Sequence, residues 1–144
     1  MKSTKIGSQL VLGLAVVAFS VGGCASVVGQ SYSGRPTNPA ATTENHIFGG
    51  EPEVVWLEDV GQFALTLAGS SSCPDEPTQI DEGERQVIEI TLRRTAWPFC
   101  STDMSLVTYE LDTPPGIDEH SMVRVLIGTE QYELDPRKDA ELEP

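Results

Sequence analysis

Chemistry in this 144-residue chain would have to come from few residues: two histidines, three cysteines, a run of three serines and several acidic clusters. The serines, Ser70, Ser71 and Ser72, stand in "GSSSCP". A serine nucleophile needs a base within hydrogen-bond reach, and neither His46 nor His120 has a sequence link to the run. The G-x-S-x-G elbow is absent. The hydroxyls are therefore expected to bond local backbone in a turn. The acids gather as Asp75-Glu76, Asp81-Glu82-Glu84 and Asp118-Glu119. None has the alternating oxygen ligands and central glycine of a calcium loop. Carboxylate pairing for glycoside chemistry is spatial, and spacing alone does not reveal it. A copper or zinc site wants imidazole and soft ligands together, whereas His46, His120, Met104 and Met122 are scattered. Cys73 and Cys100 lack the C-x-x-C spacing of a thiol redox site. The expectation is no catalytic residue, no metal and no cofactor.

Charge narrows the partners. Nine Lys and Arg stand against 22 Asp and Glu, for a formal net charge of −13. Such a surface repels phosphate backbones, so nucleic acid is not an expected partner. It also repels anionic lipid, so contact with a membrane needs another device. Acidic surfaces commonly serve solubility, and a basic partner or cations would suit this one.

That device stands at the N-terminus. Residues 1–5, "MKSTK", are positive, and 10–19, "LVLGLAVVAF", carry no charge. Ser20, Gly22 and Gly23 follow. This is the three-part layout of a secretory signal. The run is short for a span, which needs about 20 apolar residues. No twin-arginine pair is present, which favours the general export route.

Val21, Gly22, Gly23 and Cys24 then resemble the lipobox of bacterial lipoproteins: an aliphatic residue, two small ones and a cysteine. Valine in place of the commoner leucine is a mild departure. The resemblance implies diacylglyceryl transfer to the Cys24 sulfur and cleavage after Gly23. Removing residues 1–23 takes away Lys2 and Lys5 and leaves the mature chain two units more negative. Each buried CH₂ contributes about 0.8 kcal/mol, so two or three acyl chains hold firmly where one is marginal. The alternative is a plain secretory signal cut after Ala25. With Cys24 lipidated, Cys73 and Cys100 remain. Export places them in an oxidising compartment, where an even pair becomes a disulfide. Closing this loop of 27 residues would contribute roughly 3.5 kcal/mol in the chain-entropy model.

The elements that position these residues are short and alternate with period two. "QFALTLA" (62–68) sets Phe63, Leu65 and Leu67 on one face. "RQVIEITLRR" (85–94) sets Ile88, Ile90 and Leu92 inward and Val87, Glu89, Thr91 and Arg93 outward. "LVTYELD" (106–112) groups Val107, Tyr109 and Leu111; "MVRVLIG" (122–128) groups Val123, Val125 and Ile127. "EVVWLE" (53–58) and "EQYEL" (130–134) read as strands, "PTQIDE" (77–82) more weakly. Turn-like connectors separate them. Six or seven short strands with no helix pattern predict an all-β antiparallel β-sandwich, immunoglobulin-like rather than a closed barrel. Cys73 and Cys100 each follow a strand, so both belong at one end, with Trp97 and Phe99 packed nearby. Arg93 and Arg94 point to opposite faces and are expected to pair with acidic neighbours.

Residues 24–52 are rich in Gly, Ser, Thr, Asn and Pro, with "HIF" (46–48) their one apolar island. They read as a flexible tether of roughly 28 Å span that lifts the domain off the lipid. Residues 53–135 form the domain, and 136–144 a charged, frayed tail. The lipobox, "GSSSCP", the C-x-x-D of Cys100 to Asp103 and "PPG" at Pro114 to Gly116 together resemble small uncharacterised lipid-anchored proteins of actinobacteria. That resemblance supports the disulfide and the β fold and implies no activity. The expected function is a lipid-anchored, extracytoplasmic, non-catalytic module that binds a protein or cell-envelope partner at the membrane. An enzyme on cell-wall or extracellular substrate is the alternative, and a metal or small-ligand carrier the second.

Overall fold

The computed structural model describes residues 26–40, 50–94 and 98–138. Eight strands run in order β1 (Gln30–Ser33), β2 (Glu53–Trp56), β3 (Gln62–Gly69), β4 (Glu76–Gly83), β5 (Val87–Arg93), β6 (Ser105–Asp112), β7 (Val123–Ile127) and β8 (Glu130–Leu134). They form two four-stranded sheets, β1-β6-β3-β2 and β4-β5-β7-β8. The molecule is the expected all-β sandwich. The first sheet is antiparallel throughout. The second is mixed: β4–β5 and β7–β8 are antiparallel hairpins, but β5 and β7 pair in parallel. After β5 the chain crosses to the other sheet as β6, reversing once, and reverses again on returning as β7.

The alternation read from the sequence builds the core. Phe63, Leu65 and Leu67 of β3 join Tyr109 and Leu111 of β6. They face Ile88 and Ile90 of β5 and Val123, Val125 and Ile127 of β7, with Trp56, Ile117 and Leu134 completing one cluster. Burying each large apolar side chain stabilises the fold by about 1.5–3 kcal/mol. Trp56 meets Phe63 edge-on, with ring centroids 6.3 Å apart, the geometry that ring quadrupoles favour. Its indole Nε1 donates to Asp135 O at 2.8 Å. Val87, expected outward, is also buried.

The tether reading needs correction. Within 24–52, Val27 and Val28 pack against the core and β1 pairs with β6. The strand is four polar residues at a sheet edge, so it shows no apolar alternation; the free edge of β6 specifies it. Gly29 permits the turn into it. Its φ is +78°, and a Cβ there would stand 2.2 Å from the carbonyl oxygen of Glu110, so only glycine fits. Beyond β1, residues 34–40 cross the outer face of the first sheet as a strap. Thr108 Oγ1 donates to Gly34 O (2.6 Å), Ala40 N to Trp56 O (2.8 Å) and Glu58 N to Asn38 O (2.9 Å). Thr66 and Thr108, both fully buried on this face, share a hydroxyl hydrogen bond of 2.9 Å. Residues 41–49, with His46 and "HIF", lie outside the described residues, as do Gly23, Cys24 and Trp97.

The tail reading is corrected too. Arg137, assigned to a frayed end, is 7% exposed in its side chain. It is held by Glu119 and by the carbonyls of Glu58 and Asp59.

Candidate functional site

Strand direction divides the chemistry-bearing residues between two ends. β3 and β5 run toward one end, where loop 70–75 leads into β4 and loop 94–104 into β6. These loops carry Cys73 and Cys100, which form a disulfide with Sγ–Sγ 2.07 Å and Cα–Cα 5.6 Å. Each loop passes from one sheet to the other, so the bond ties both crossings together. Placing both cysteines at one end matches the sequence expectation. Phe99 is 80% exposed. Arg93 pairs with Glu76, and Arg94 Nε lies 3.6 Å from Asp75 Oδ2. The expected acidic neighbours are there, on partly exposed surface.

The serine run does more than cap its own turn. Ser70 Oγ lies 2.8 Å from Ser101 Oγ, Ser71 Oγ 3.3 Å and Ser72 Oγ 3.1 Å. Ser101 N donates back to Ser72 Oγ at 2.8 Å, and Ser101 Oγ donates to Asp103. Ser71 N also reaches Asp103 Oδ1, at 3.3 Å. Three hydroxyls of one loop thus converge on Ser101 of the other beside the disulfide, and Ser101 in turn bonds the Asp103 carboxylate. The Ser101 hydroxyl first, then Ser71, hold Asp103 below the usual carboxylate range. A carboxylate stabilised in that way is a weak proton acceptor at neutral pH. The cluster is suited to hydrogen-bonding a polar group.

His120 lies at the other end, in the loop after β6. The eight residues of β6 separate it from the serines by roughly 25 Å, at about 3.3 Å per residue. The structure therefore does not bring His120 and Asp118 together with loop 69–74. Asp118 instead shapes its own turn: Oδ1 accepts His120 N at 3.0 Å and Oδ2 accepts the Ser121 hydroxyl at 2.7 Å. The Ser121 bond, then that of His120, lowers the Asp118 pKa. Glu119 turns inward to Arg137, with NH1 to Oε2 3.2 Å. Glu82 Oε2 accepts Gly116 N at 3.1 Å, and Asp81 accepts Gln79 Nε2 at 2.7 Å. Every acidic cluster singled out in the sequence thus contributes at least one carboxylate to a hydrogen bond or ion pair. Among the described residues, no group of three or more His, Cys, Asp or Glu is placed to hold a metal ion.

Sequence reasoning missed Arg137, the Ser101–Asp103 side of the hydroxyl cluster, and Tyr109 as a polar strut. The Tyr109 hydroxyl donates to Asp75 O at 2.9 Å. Burial, then Glu76 and Asp75, push its pKa up to about 12. A cavity of about 180 Å³ opens at the seam between the sheets, where Val54 and Trp56 face Leu134 and Arg137. No helix among the described residues is long and apolar enough to cross a membrane.

Fold and site together define a disulfide-tied β-sandwich with a hydroxyl-rich end and an acidic, ion-paired end. Comparison with family models, with curated proteins and with solved structures finds no match.

Proposed function

We propose that this chain is an exported lipoprotein, cleaved after Gly23, acylated on Cys24 and working at the extracytoplasmic face of the cell membrane as a non-catalytic binding module. The Cys73–Cys100 disulfide carries this reading. It consumes two of the three cysteines and suits an oxidising compartment. Cys24, at the end of the export signal, is the one outside that bond. The β-sandwich supports a binding role, since its loops present polar side chains from a rigid frame. Its partner is a protein or envelope component that meets surface hydrogen-bonding groups and acidic charge.

Metabolic labelling with an alkyne fatty acid tests the anchor. The wild-type chain should take up label, and Cys24→Ser should take up none. Label retained by Cys24→Ser, or absent from wild type, would overturn it. Cross-linking on intact cells tests the binding role. A reproducible partner lost on urea unfolding supports it, and no partner at any cross-linker length counts against it.

A further inference from the structure

The bond between Asp135 and Pro136 is chemically unlike the others in the chain, because nowhere else does an aspartate precede a proline. An aspartate carboxylate can attack its own backbone carbonyl, since nucleophile and target are already joined and the ring that forms is small. The amide under attack is tertiary at proline, which has no N–H. The secondary amine it releases is basic and leaves readily once it gains a proton. The attack is hardest where negative charge gathers on the carbonyl oxygen, and a donor already aimed at that oxygen lowers the barrier.

The fold supplies these parts at the seam between β2 and β8. Trp56 Nε1 donates to Asp135 O at 2.8 Å. The indole is buried and packed edge-on against Phe63, so the donor is fixed. The backbone of Asp135 is fixed from both sides: Leu134 pairs with Val123, and Arg137 N donates to Glu119 O at 2.7 Å. The carboxylates of Asp75, Asp81, Asp103, Asp112 and Asp118 are engaged by neighbours. That of Asp135 takes part in no hydrogen bond or ion pair among the described residues, so it can turn onto its own carbonyl. The cavity of about 180 Å³ borders Trp56, Asp135 and Pro136 and has room for water, at about 30 Å³ per molecule. The charged groups around the bond are Glu133 of β8, Arg137 and Lys138 beyond it, and Glu119, which pairs with Arg137. From β2 the cavity is lined by Val54, Val55 and Trp56, which carry no charge.

We propose that the Asp135–Pro136 bond is a self-processing site, cut by the Asp135 carboxylate while the Trp56 indole N–H stabilises the oxyanion. A carboxylate oxygen bonds to the Asp135 carbonyl carbon, and the π pair of the carbonyl moves onto the oxygen that Trp56 holds. When that pair returns, the C–N bond breaks, its electrons stay on Pro136 N, and that nitrogen takes a proton from solvent. Water then opens the cyclic anhydride to the two carboxyl groups of a C-terminal Asp135. The event happens once per chain and is independent of the anchor and the binding role proposed above. Its consequence falls on Arg137, whose guanidinium holds the far end and would no longer be joined to β8.

The full chain, folded in mildly acidic buffer or unfolded by urea in the same buffer, is followed by intact mass. The folded chain should yield the peptide 136–144 and a chain ending at Asp135, and should do so faster than the unfolded chain. Asp135→Ala and Pro136→Ala should yield neither over the same period. Trp56→Phe should be cut about 10²-fold more slowly than folded wild type, as on removing one oxyanion donor, and this holds whether or not the variant folds. Release of the peptide no faster from the folded than from the unfolded chain, equally fast from Trp56→Phe, or undiminished in Asp135→Ala, overturns the proposal.

Discussion

The two ends of the sandwich are closed by different physics. At the disulfide end a covalent bond joins the two loop crossings, and exposed hydroxyls share hydrogen bonds around Asp103. At the far end a single buried guanidinium does the same work without a covalent bond. Arg137 gathers Glu119, the turn after β2 and the chain after β8. A disulfide acts chiefly by restricting the unfolded chain, so its effect is insensitive to salt. A buried ion pair acts within the folded state, where desolvation nearly offsets attraction and loss of one partner strands the other. The ends should therefore fail under different treatments, one to reductant and the other to substitution of a single charge.

The largest effect is expected at the far end. Arg137→Ala should cost about 3–5 kcal/mol, the range for stranding one member of a buried pair. Urea unfolding under oxidising and reducing conditions should show the same loss in both. A loss below about 1 kcal/mol would mean that the pair behaves like a surface contact. Close behind comes the Cys73→Ala/Cys100→Ala double variant, expected to lose roughly 3.5 kcal/mol. The double variant should unfold identically with and without reductant, whereas wild type should not. If the two ends are independent, combining these changes should give additive losses, to within about 0.5 kcal/mol.

Gly29→Ala probes the hinge that leads into β1. A left-handed conformation costs an L-residue about 1–2 kcal/mol, and the close carbonyl of Glu110 adds to that. Hydrogen exchange should rise in β1 and at the β6 amides facing it. Exchange unchanged there would show that β1 is not held as described.

The smallest effects are expected from pH. Folding raises the Tyr109 pKa from 10.0 to about 12. The contribution of its neutral phenol is complete below pH 10 and is lost as pH rises through about 12. Asp103 and Asp118 are lowered from 3.8. Their contributions are present above that value and lost as pH falls through their lower folded values. Tyr109→Phe should flatten the alkaline limb of a stability–pH profile and leave the acid limb alone. Asp103→Asn should do the reverse, with a small amplitude because the carboxylate is exposed.

What the sequence disclosed follows the length scale of each interaction. β3, β5, β6 and β7 were legible because each places apolar side chains on one face at period two, and the core has only one use for them. β2 and β8 were legible as apolar or aromatic runs between turns. β1 was not, because "QSYS" has no apolar face and exists as a strand only where β6 offers an edge. The parallel pairing of β5 and β7 was equally hidden, since alternation does not encode direction. The pairing of Cys73 with Cys100 could be reached by parity once Cys24 was set aside. The convergence of Ser70, Ser71 and Ser72 on Ser101 could not. It joins residues about 30 positions apart through hydroxyls that any turn could use locally. Arg137 looked like one more charge in an acidic tail, and its burial is decided by Glu119 and two turn carbonyls from elsewhere in the chain.

The anchor and the membrane address both depend on Cys24. Intact mass spectrometry of the protein recovered from the membranes of its own cells tests this most directly. The predicted result is a chain beginning at Cys24 and carrying diacylglyceryl mass, with Cys73 and Cys100 oxidised. A chain beginning beyond Cys24, or one without acyl mass, would contradict it.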